Sequence, residues 1–214
     1  MKVLVADDHA VVREGVRRLL ALLPGVSVCE ASSGREALAV FRSERPGLVV
    51  LDLNLNDASG LEILRRLLIE DKSARVLVLS MHTEPIYAAR ALRAGARGYI
   101  SKNAPADELA AAVRQVARGE PYVEPEIAEQ LAVTQFSAGD PLQQLTTREV
   151  DIVRLLGEGK SLEAISETLG VAYKTIANSC SMIKAKLGVE RTADLIRLSF
   201  EMRVRATSQD HRTF

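Results

Sequence analysis

Short apolar runs alternate with segments of helical period along the first half of the chain, and this alternation predicts the fold. We predict strands at 2–6, 26–32, 48–53, 75–81 and 97–102. Continuous apolar character is typical of strands that are buried on both faces. We predict helices at 9–23, 34–44, 59–71, 84–95 and 105–119. Five βα units indicate the α/β class, with a doubly wound, five-stranded parallel sheet, for which we expect the flavodoxin-like order 2-1-3-4-5.

The pattern changes after residue 120, which indicates a second domain. We predict a short helix over 121–133 and a polar linker over 134–144. From Leu145 onward only helical segments follow, so we expect an all-α domain of four helices. The predicted domains are therefore 1–120, 121–144 as helix and linker, 145–204, and a flexible tail at 205–214.

Composition limits the class of protein without choosing a function. The 214 residues are 47% hydrophobic, and 28 basic residues balance 28 acidic ones. A net charge of zero weakens an argument for nucleic-acid binding from charge alone, although a neutral chain can contain a local basic patch. Cys29 and Cys180 lack metal-ligand spacing and are expected to be reduced thiols. We expect a cytoplasmic protein, because no apolar stretch is long enough to span a membrane and acids follow the N-terminus too early for a signal peptide.

Polar side chains follow four of the five predicted strands. Strand one is followed by Asp7 and Asp8, strand three by Asp52, strand four by Ser80 and strand five by Lys102. Ligands of open α/β sheets bind at the carboxyl ends of the strands, where the strand order reverses. Strands one and three are neighbours there, so the three carboxylates should converge. They would repel one another unless a cation lay among them, and Mg²⁺ prefers such oxygen ligands.

This arrangement suits phosphoryl transfer. A carboxylate beside Mg²⁺ can form an aspartyl phosphate, and that transfer depends mostly on positioning and charge neutralisation. Lys102 would face the phosphate oxygens, and Ser80 would supply a hydroxyl group. A simpler interpretation of the Asp pair is that Asp8 caps the helix that begins at His9. Five polar groups at four strand ends favour the functional interpretation.

The stretches "LVADDH", "VVLDLNLNDASGLE", "VLVLSMH" and "GARGYISKNA" resemble the receiver domain of two-component response regulators, over about residues 1–120. The resemblance implies that Asp52 is the phosphoacceptor and that Ser80 and Tyr99 form a switch pair beside Lys102. It also implies a Mg²⁺ site formed by Asp7, Asp8, Asp52 and the backbone carbonyl of Asn54.

One departure from the receiver pattern lies next to this site. The family usually has proline where Asn56 stands, and Asp57 follows it. We expect a change in the stiffness of the loop, an extra acid near the site, and an altered lifetime of the phosphorylated form rather than loss of function.

The second domain has the spacing of a helix-turn-helix. A short helix over 161–170, a turn at Gly170-Val171 and a longer helix over 172–188 follow one another. A small helical bundle that binds protein is the alternative interpretation. The stretches "LTTRE", "LLGEGKS", "AISETLGV", "KTIAN" and "KAKLGV" resemble the LuxR-type helix-turn-helix of transcription regulators.

That resemblance implies that the second helix enters the major groove of DNA with its N-terminal part. The implied contact residues are Tyr173, Lys174, Thr175, Ala177, Asn178 and Ser179. Lys174, Lys184 and Lys186 would neutralise phosphates, and Asn178 would bond to adenine. The family commonly has His and a basic residue where Ser179 and Cys180 stand, so we expect weaker binding by the monomer and a greater need for a dimer.

Together these features predict a DNA-binding transcription regulator, not an enzyme, that a histidine kinase phosphorylates on Asp52 and that is a homodimer when phosphorylated. Two other functions are open. A phosphatase with an aspartyl nucleophile would need a second acid where Asn54 stands. A regulator that acts without phosphorylation, or whose recognition helix binds protein, would use the same domains differently.

Overall fold

The structure, a computed structural model, describes residues 1–133 and 144–207. Two compact units divide the chain at residues 131 and 132. Six parallel strands form the sheet of the first unit: β1 (Lys2–Ala6), β2 (Ser27–Ala31), β3 (Leu48–Asp52), β4 (Val76–Ser80), β5 (Gly98–Ser101) and β6 (Tyr122–Val123). Its helices are α1 (Ala10–Ala21), α2 (Gly34–Glu44), α3 (Gly60–Glu70), α4 (Pro85–Arg93), α5 (Ala106–Ala117) and α6 (Pro125–Val133). The strand order is β2-β1-β3-β4-β5-β6, which confirms the predicted order of the first five strands.

The continuous apolar runs form the centre of the sheet, as buried parallel strands require. Every residue of β3 and β4 is buried. One side of the sheet packs against Val16 and Leu20 of α1 and Val113 and Val116 of α5. Because strand side chains alternate between faces, this packing leaves the other set of strand residues for the opposite face. Helices α2 and α3 contact β1 and β3, and every residue of β3 is buried, so both faces of the central strands are covered.

The segment 121–133 differs from its prediction as a single helix. Tyr122–Val123 is a short strand that pairs with β5, and the helix begins only at Pro125. Proline favours an extended conformation in the residue before it, and it suits the first helical position because it has no N–H to donate. The proline at 125 therefore separates strand from helix. The predicted linker falls mainly on residues 134–143, which lie outside the described residues.

The second unit contains the four predicted helices, α7 (Thr147–Gly157), α8 (Leu162–Thr168), α9 (Tyr173–Leu187) and α10 (Thr192–Thr207). Thr146 and Glu149 form a capping box at the start of α7. The Ser161 hydroxyl accepts the Ala164 N–H, which caps α8. Helix α10 extends beyond the predicted domain end at 204 into the predicted tail, and the rest of that tail, 208–214, lies outside the described residues. No helix in the described parts of the chain is long and apolar enough to cross a membrane.

Candidate functional site

Neighbouring strands bring the predicted carboxylates together. β1 and β3 are paired up to Ala6 and Leu51, so the residues that follow both strands emerge side by side. Asp7 and Asp52 are buried, with 1% and 3% of their surface exposed. One ligand atom each of Asp7, Asp8, His9 and Asp52 lies within 4.8 Å of the others. The sequence predicted the three acids, but not the part of His9.

Lys102 lies between two of these carboxylates. Its Nζ atom is 2.6 Å from Oδ2 of Asp7 and 2.7 Å from Oδ2 of Asp52, and only 6% of its side chain is exposed. The backbone fixes its direction, since the Lys102 N–H donates to the Ser80 carbonyl at 2.8 Å. The side chains at the ends of β1, β3 and β5 therefore form one charged cluster.

Burial and charge act against each other in this cluster. Burial raises the pKa of the Asp52 carboxyl above its ordinary value and outweighs the lowering by the Lys102 ammonium. Burial lowers the pKa of Lys102, but the Asp52 and Asp7 carboxylates raise it by more, so its pKa lies above the ordinary value. Lys102 is therefore a firmly protonated cation, while Asp52 is a carboxylate whose charge is poorly solvated.

The carboxylates also present buried oxygen atoms to a divalent cation. Oδ2 of Asp7 is paired with the Lys102 ammonium at 2.6 Å, and Oδ1 of Asp8 is buried and accepts no hydrogen bond from the described residues. His9 Nδ1 is 2.7 Å from the Asp8 oxygen. Hard oxygen ligands in this number suit Mg²⁺, which keeps several of its waters. The residues present therefore fit the predicted ion.

A second group of side chains adjoins the cluster. The backbone N–H of Asn54 bonds to the Asp52 carboxylate. The Asn54 amide nitrogen lies 3.0 Å from Nε2 of His82, whose ring stacks on that of Tyr87 at 4.0 Å between centroids. The Tyr99 hydroxyl donates to the His82 carbonyl at 2.7 Å. The receiver-like stretch "VLVLSMH" ends at His82, but the sequence gives no indication of these contacts.

Ser80 and Tyr99, the predicted switch pair, are both fully buried. The Ser80 hydroxyl accepts the His82 N–H at 3.2 Å. His82 therefore links both residues through its backbone, and it reaches Asn54 through its ring.

Asp57, the extra acid that the sequence predicted near the site, is bound to the start of α2. Its two carboxylate oxygens accept the N–H groups of Gly34 at 2.7 Å and Arg35 at 3.1 Å, at the start of α2. Partial desolvation opposes ionisation, but these backbone hydrogen bonds prevail and lower the pKa of Asp57. The free N–H groups of a helix N-terminus attract an anion, which accounts for the position of this carboxylate at the start of α2.

The helix-turn-helix elements are α8 and α9. Helix α9 turns Ile176, Cys180 and Ile183 into the core of its unit. The predicted DNA-contacting residues at its start lie mostly on the opposite face. Tyr173, Lys174, Thr175 and Asn178 are exposed, whereas Ala177, Ser179 and Lys184 are half-buried. Met182 is also exposed on α9 and was not predicted.

Lys186 differs from the other predicted phosphate contacts. Its Nζ atom lies 2.7 Å from both carboxylate oxygens of Glu149, which is itself buried in the capping box of α7. The ion pair joins α9 to α7 within the unit. Lys186 thus has a structural partner, whereas Lys174 is exposed at the N-terminal end of α9.

Comparison with known proteins places a family match on each unit. The family described as "Response regulator receiver domain" matches residues 3–114. The family described as "Bacterial regulatory proteins, luxR family" matches residues 143–199.

Several relatives are similar over nearly the whole chain. The methanol utilization control regulatory protein MoxX of Paracoccus denitrificans is 37% identical over 92% of this chain and 89% of its own length. The transcriptional activator protein ExaE of Pseudomonas putida is 39% identical over 94% and 96%. The response regulator UvrY of Escherichia coli is 32% identical over 93% of both chains.

Solved structures are similar to part or nearly all of the chain. A two-component response regulator of the LuxR family from an Aurantimonas species is 37% identical, with a TM-score of 0.59, over 61% of this chain and 94% of its own. RcsB from Salmonella enterica serovar Typhimurium, bound to the promoter rprA, has a TM-score of 0.59 over 92% of this chain and 96% of its own. Its identity of 24% supports the fold alone.

Proposed function

This chain belongs to the two-component response regulators that join a receiver domain to a LuxR-type DNA-binding domain, and we propose that Asp52 accepts a phosphoryl group from a histidine kinase and thereby controls dimerisation and DNA binding. The chain is a transcription regulator, and its family is not one of enzymes. We also propose that it acts in the cytoplasm, where its DNA target would be found.

In the proposed reaction an Asp52 carboxylate oxygen attacks the phosphorus of a phosphohistidine. The new O–P bond forms as the P–N bond breaks, and the phosphohistidine ring, which already carries a proton on its other nitrogen, takes the bonding electrons and leaves as neutral imidazole. The proposed ligands of Mg²⁺ are Asp7, Asp8, Asp52 and the backbone carbonyl of Asn54. When bound, the ion would neutralise charge on the phosphoryl oxygens.

Lys102 would bind the phosphoryl oxygens through its ammonium group, and Ser80 would donate its hydroxyl hydrogen to one of them. Tyr99 would respond through its hydrogen bond to His82, which follows Ser80 closely in the chain. The observation that carries the proposal is the position of Lys102 Nζ, which is bound to Asp7 and Asp52 at 2.6 and 2.7 Å. A buried cation that joins the ends of three strands is well placed to meet a dianionic group.

For DNA we propose the N-terminal part of α9 as the recognition surface. Exposed Tyr173, Lys174, Thr175 and Asn178 support this role, with Ala177 and Ser179 beside them. Lys174 and Lys184 would contact phosphates, and Lys186 would do so only at the expense of its bond to Glu149. A phosphorylated homodimer would place two such helices on half-sites about one helical turn apart.

The test is electrophoresis in a phosphate-binding gel after incubation with acetyl phosphate and Mg²⁺, for the parent and Asp52→Ala, followed by sedimentation of each sample. We expect a retarded band and a heavier species in the parent, and neither in the variant. An unshifted parent band would contradict the proposal. DNA binding by that unshifted parent would then support a regulator that acts without phosphorylation.

A further inference from the structure

Glu124 is a buried carboxylate that lies outside the acidic cluster. It follows β6, directly precedes α6, and has only 8% of its surface exposed. A buried charge destabilises a protein unless hydrogen bonds or a counter-charge compensate for its lost hydration. One oxygen of Glu124 accepts the backbone N–H of Ser101 at 2.6 Å. The partner of this buried acid is therefore the last residue of β5, immediately before Lys102.

The carboxylate completes a strand ladder that the backbone cannot complete. The Glu124 N–H donates to the Tyr99 carbonyl at 3.1 Å, which continues the parallel pairing of β6 with β5. In a regular ladder the Ser101 N–H would next donate to the Glu124 carbonyl. That carbonyl instead accepts the Ala128 N–H at 2.9 Å, as the first bond of α6. The Glu124 carboxylate accepts the Ser101 N–H in place of that carbonyl. Glu124 is therefore hydrogen-bonded both to β5 and to α6.

This connection adjoins the proposed phosphoacceptor site. The amides of Ser101 and Lys102 are held from opposite sides, the first by Glu124 and the second by the Ser80 carbonyl at 2.8 Å. The Lys102 side chain then reaches Asp52. A displacement at the end of β5 therefore acts on both Lys102 and the residue that starts α6.

We propose that Glu124 is a positioning residue that transmits the state of the phosphoacceptor site to helix α6, an inference that rests on the proposed function. When the Lys102 ammonium turns from the carboxylates to phosphoryl oxygens, the end of β5 moves with it. Glu124 carries this movement to the first turn of α6, the helix that precedes the DNA-binding domain in the sequence.

The test compares full-length parent, Glu124→Ala and Glu124→Gln by hydrogen exchange of peptides covering 98–102 and 122–132, with and without acetyl phosphate and Mg²⁺. The amide of Gln still offers an oxygen to the Ser101 N–H, whereas Ala offers none. We expect exchange in the 98–102 peptide to accelerate about tenfold in Glu124→Ala and much less in Glu124→Gln, as loss of a hydrogen bond to a charged group implies. Glu126→Ala, an exposed acid in the first turn of α6, is the matched control and should behave as the parent.

The decisive readout is the response to phosphorylation. We expect Glu124→Ala to be phosphorylated to the same extent as the parent in the gel, but to lose the change in exchange over 122–132 and the gain in DNA affinity. A normal response in Glu124→Ala would overturn the inference, as would unchanged exchange at 98–102 or loss of phosphorylation in that variant. A parent that is not phosphorylated at all would contradict the proposed function instead, and the exchange at 98–102 would still test the Glu124 bond.

Discussion

Gly60, the first residue of α3, lies directly against the backbone carbonyl of Asp52. A Cβ atom at position 60 would overlap that oxygen and would come within 2.5 Å of the Leu53 Cα. The Gly60 N–H also donates to the Leu53 carbonyl at 2.8 Å. Both obstacles are backbone atoms, which cannot swing aside as a side chain can. The missing side chain of Gly60 thus determines how closely α3 approaches the strand that bears Asp52.

Replacement of Gly60 by alanine should therefore displace α3 or the end of β3. We expect Gly60→Ala to lower the free energy of unfolding by about 1–3 kcal/mol, as overpacking does, and to reduce phosphorylation of Asp52. Urea denaturation and the gel assay measure the two effects. Gly15→Ala is the control, because no heavy atom lies within 4 Å of a Cβ there. Because Gly15 lies within α1, we expect Gly15→Ala to raise the free energy of unfolding by up to about 1 kcal/mol. Equal stability of the two variants would contradict this account of Gly60.

The bond of Asp57 to the start of α2 predicts a stability difference that depends on pH. The folded state lowers the pKa of this carboxyl, so its stabilisation is full above the unfolded value of about 3.9 and is lost as the pH falls through the folded value. We expect Asp57→Asn to lower the free energy of unfolding by about 0.5–1 kcal/mol at pH 7, because it removes a favourable charge from a helix N-terminus. The difference between variant and parent should vanish in acid. Urea midpoints between pH 7 and pH 2 would measure it. Asn56→Ala removes no titratable group, so its effect should not follow the same curve.

The two lysines of α9 should separate stability from DNA binding. Lys186→Ala leaves the buried Glu149 carboxylate without its cation, and we expect a loss of about 1–3 kcal/mol in unfolding free energy. Lys174→Ala removes an exposed charge and should leave stability unchanged. It should instead weaken DNA binding. The slope of log affinity against log salt concentration should become shallower by about 1, because one phosphate contact is lost. Thermal melts and salt titrations of DNA affinity distinguish the two. The reverse pattern would mean that Lys186 contacts DNA.

Lys102 and a divalent cation should compete for the same carboxylates. Because the ammonium already occupies Oδ2 of Asp7 and Asp52, we expect Lys102→Ala to bind Mg²⁺ about tenfold more tightly, the equivalent of about 1.4 kcal/mol. The same variant should lose the response to phosphorylation. Calorimetric titration with Mg²⁺ measures the first effect. Lys2→Ala is the control, because it removes a lysine that is paired with Glu44 instead. Its affinity for Mg²⁺ should equal that of the parent. Weaker binding in Lys102→Ala would show that the lysine organises the acids rather than competing for them.

The sequence predicted the acidic cluster because its signals are local. Buried parallel strands have continuous apolar runs, and the polar residues that follow them are visible in the same short windows. The contacts it missed join residues that are far apart in the chain. Asp57 binds α2 across 23 residues, and Lys186 reaches Glu149 across 37. Neither contact is reflected in the hydrophobic periodicity of the sequence. The two residues of β6 are likewise too few to show any period.

The short strand β6 also protects the sheet. Without it, β5 would be an edge strand with unpaired N–H and C=O groups, open to pairing with another chain. The two residues of β6 cover that edge, and a strand this short, flanked by Pro121 and by Pro125 two positions on, is too short to template a further strand. A fragment that ended at residue 120 would therefore lose more than a linker. It would expose the edge of β5, the strand that bears Tyr99. If such a fragment aggregated, its aggregation would reflect this uncovered edge and would not report on phosphorylation.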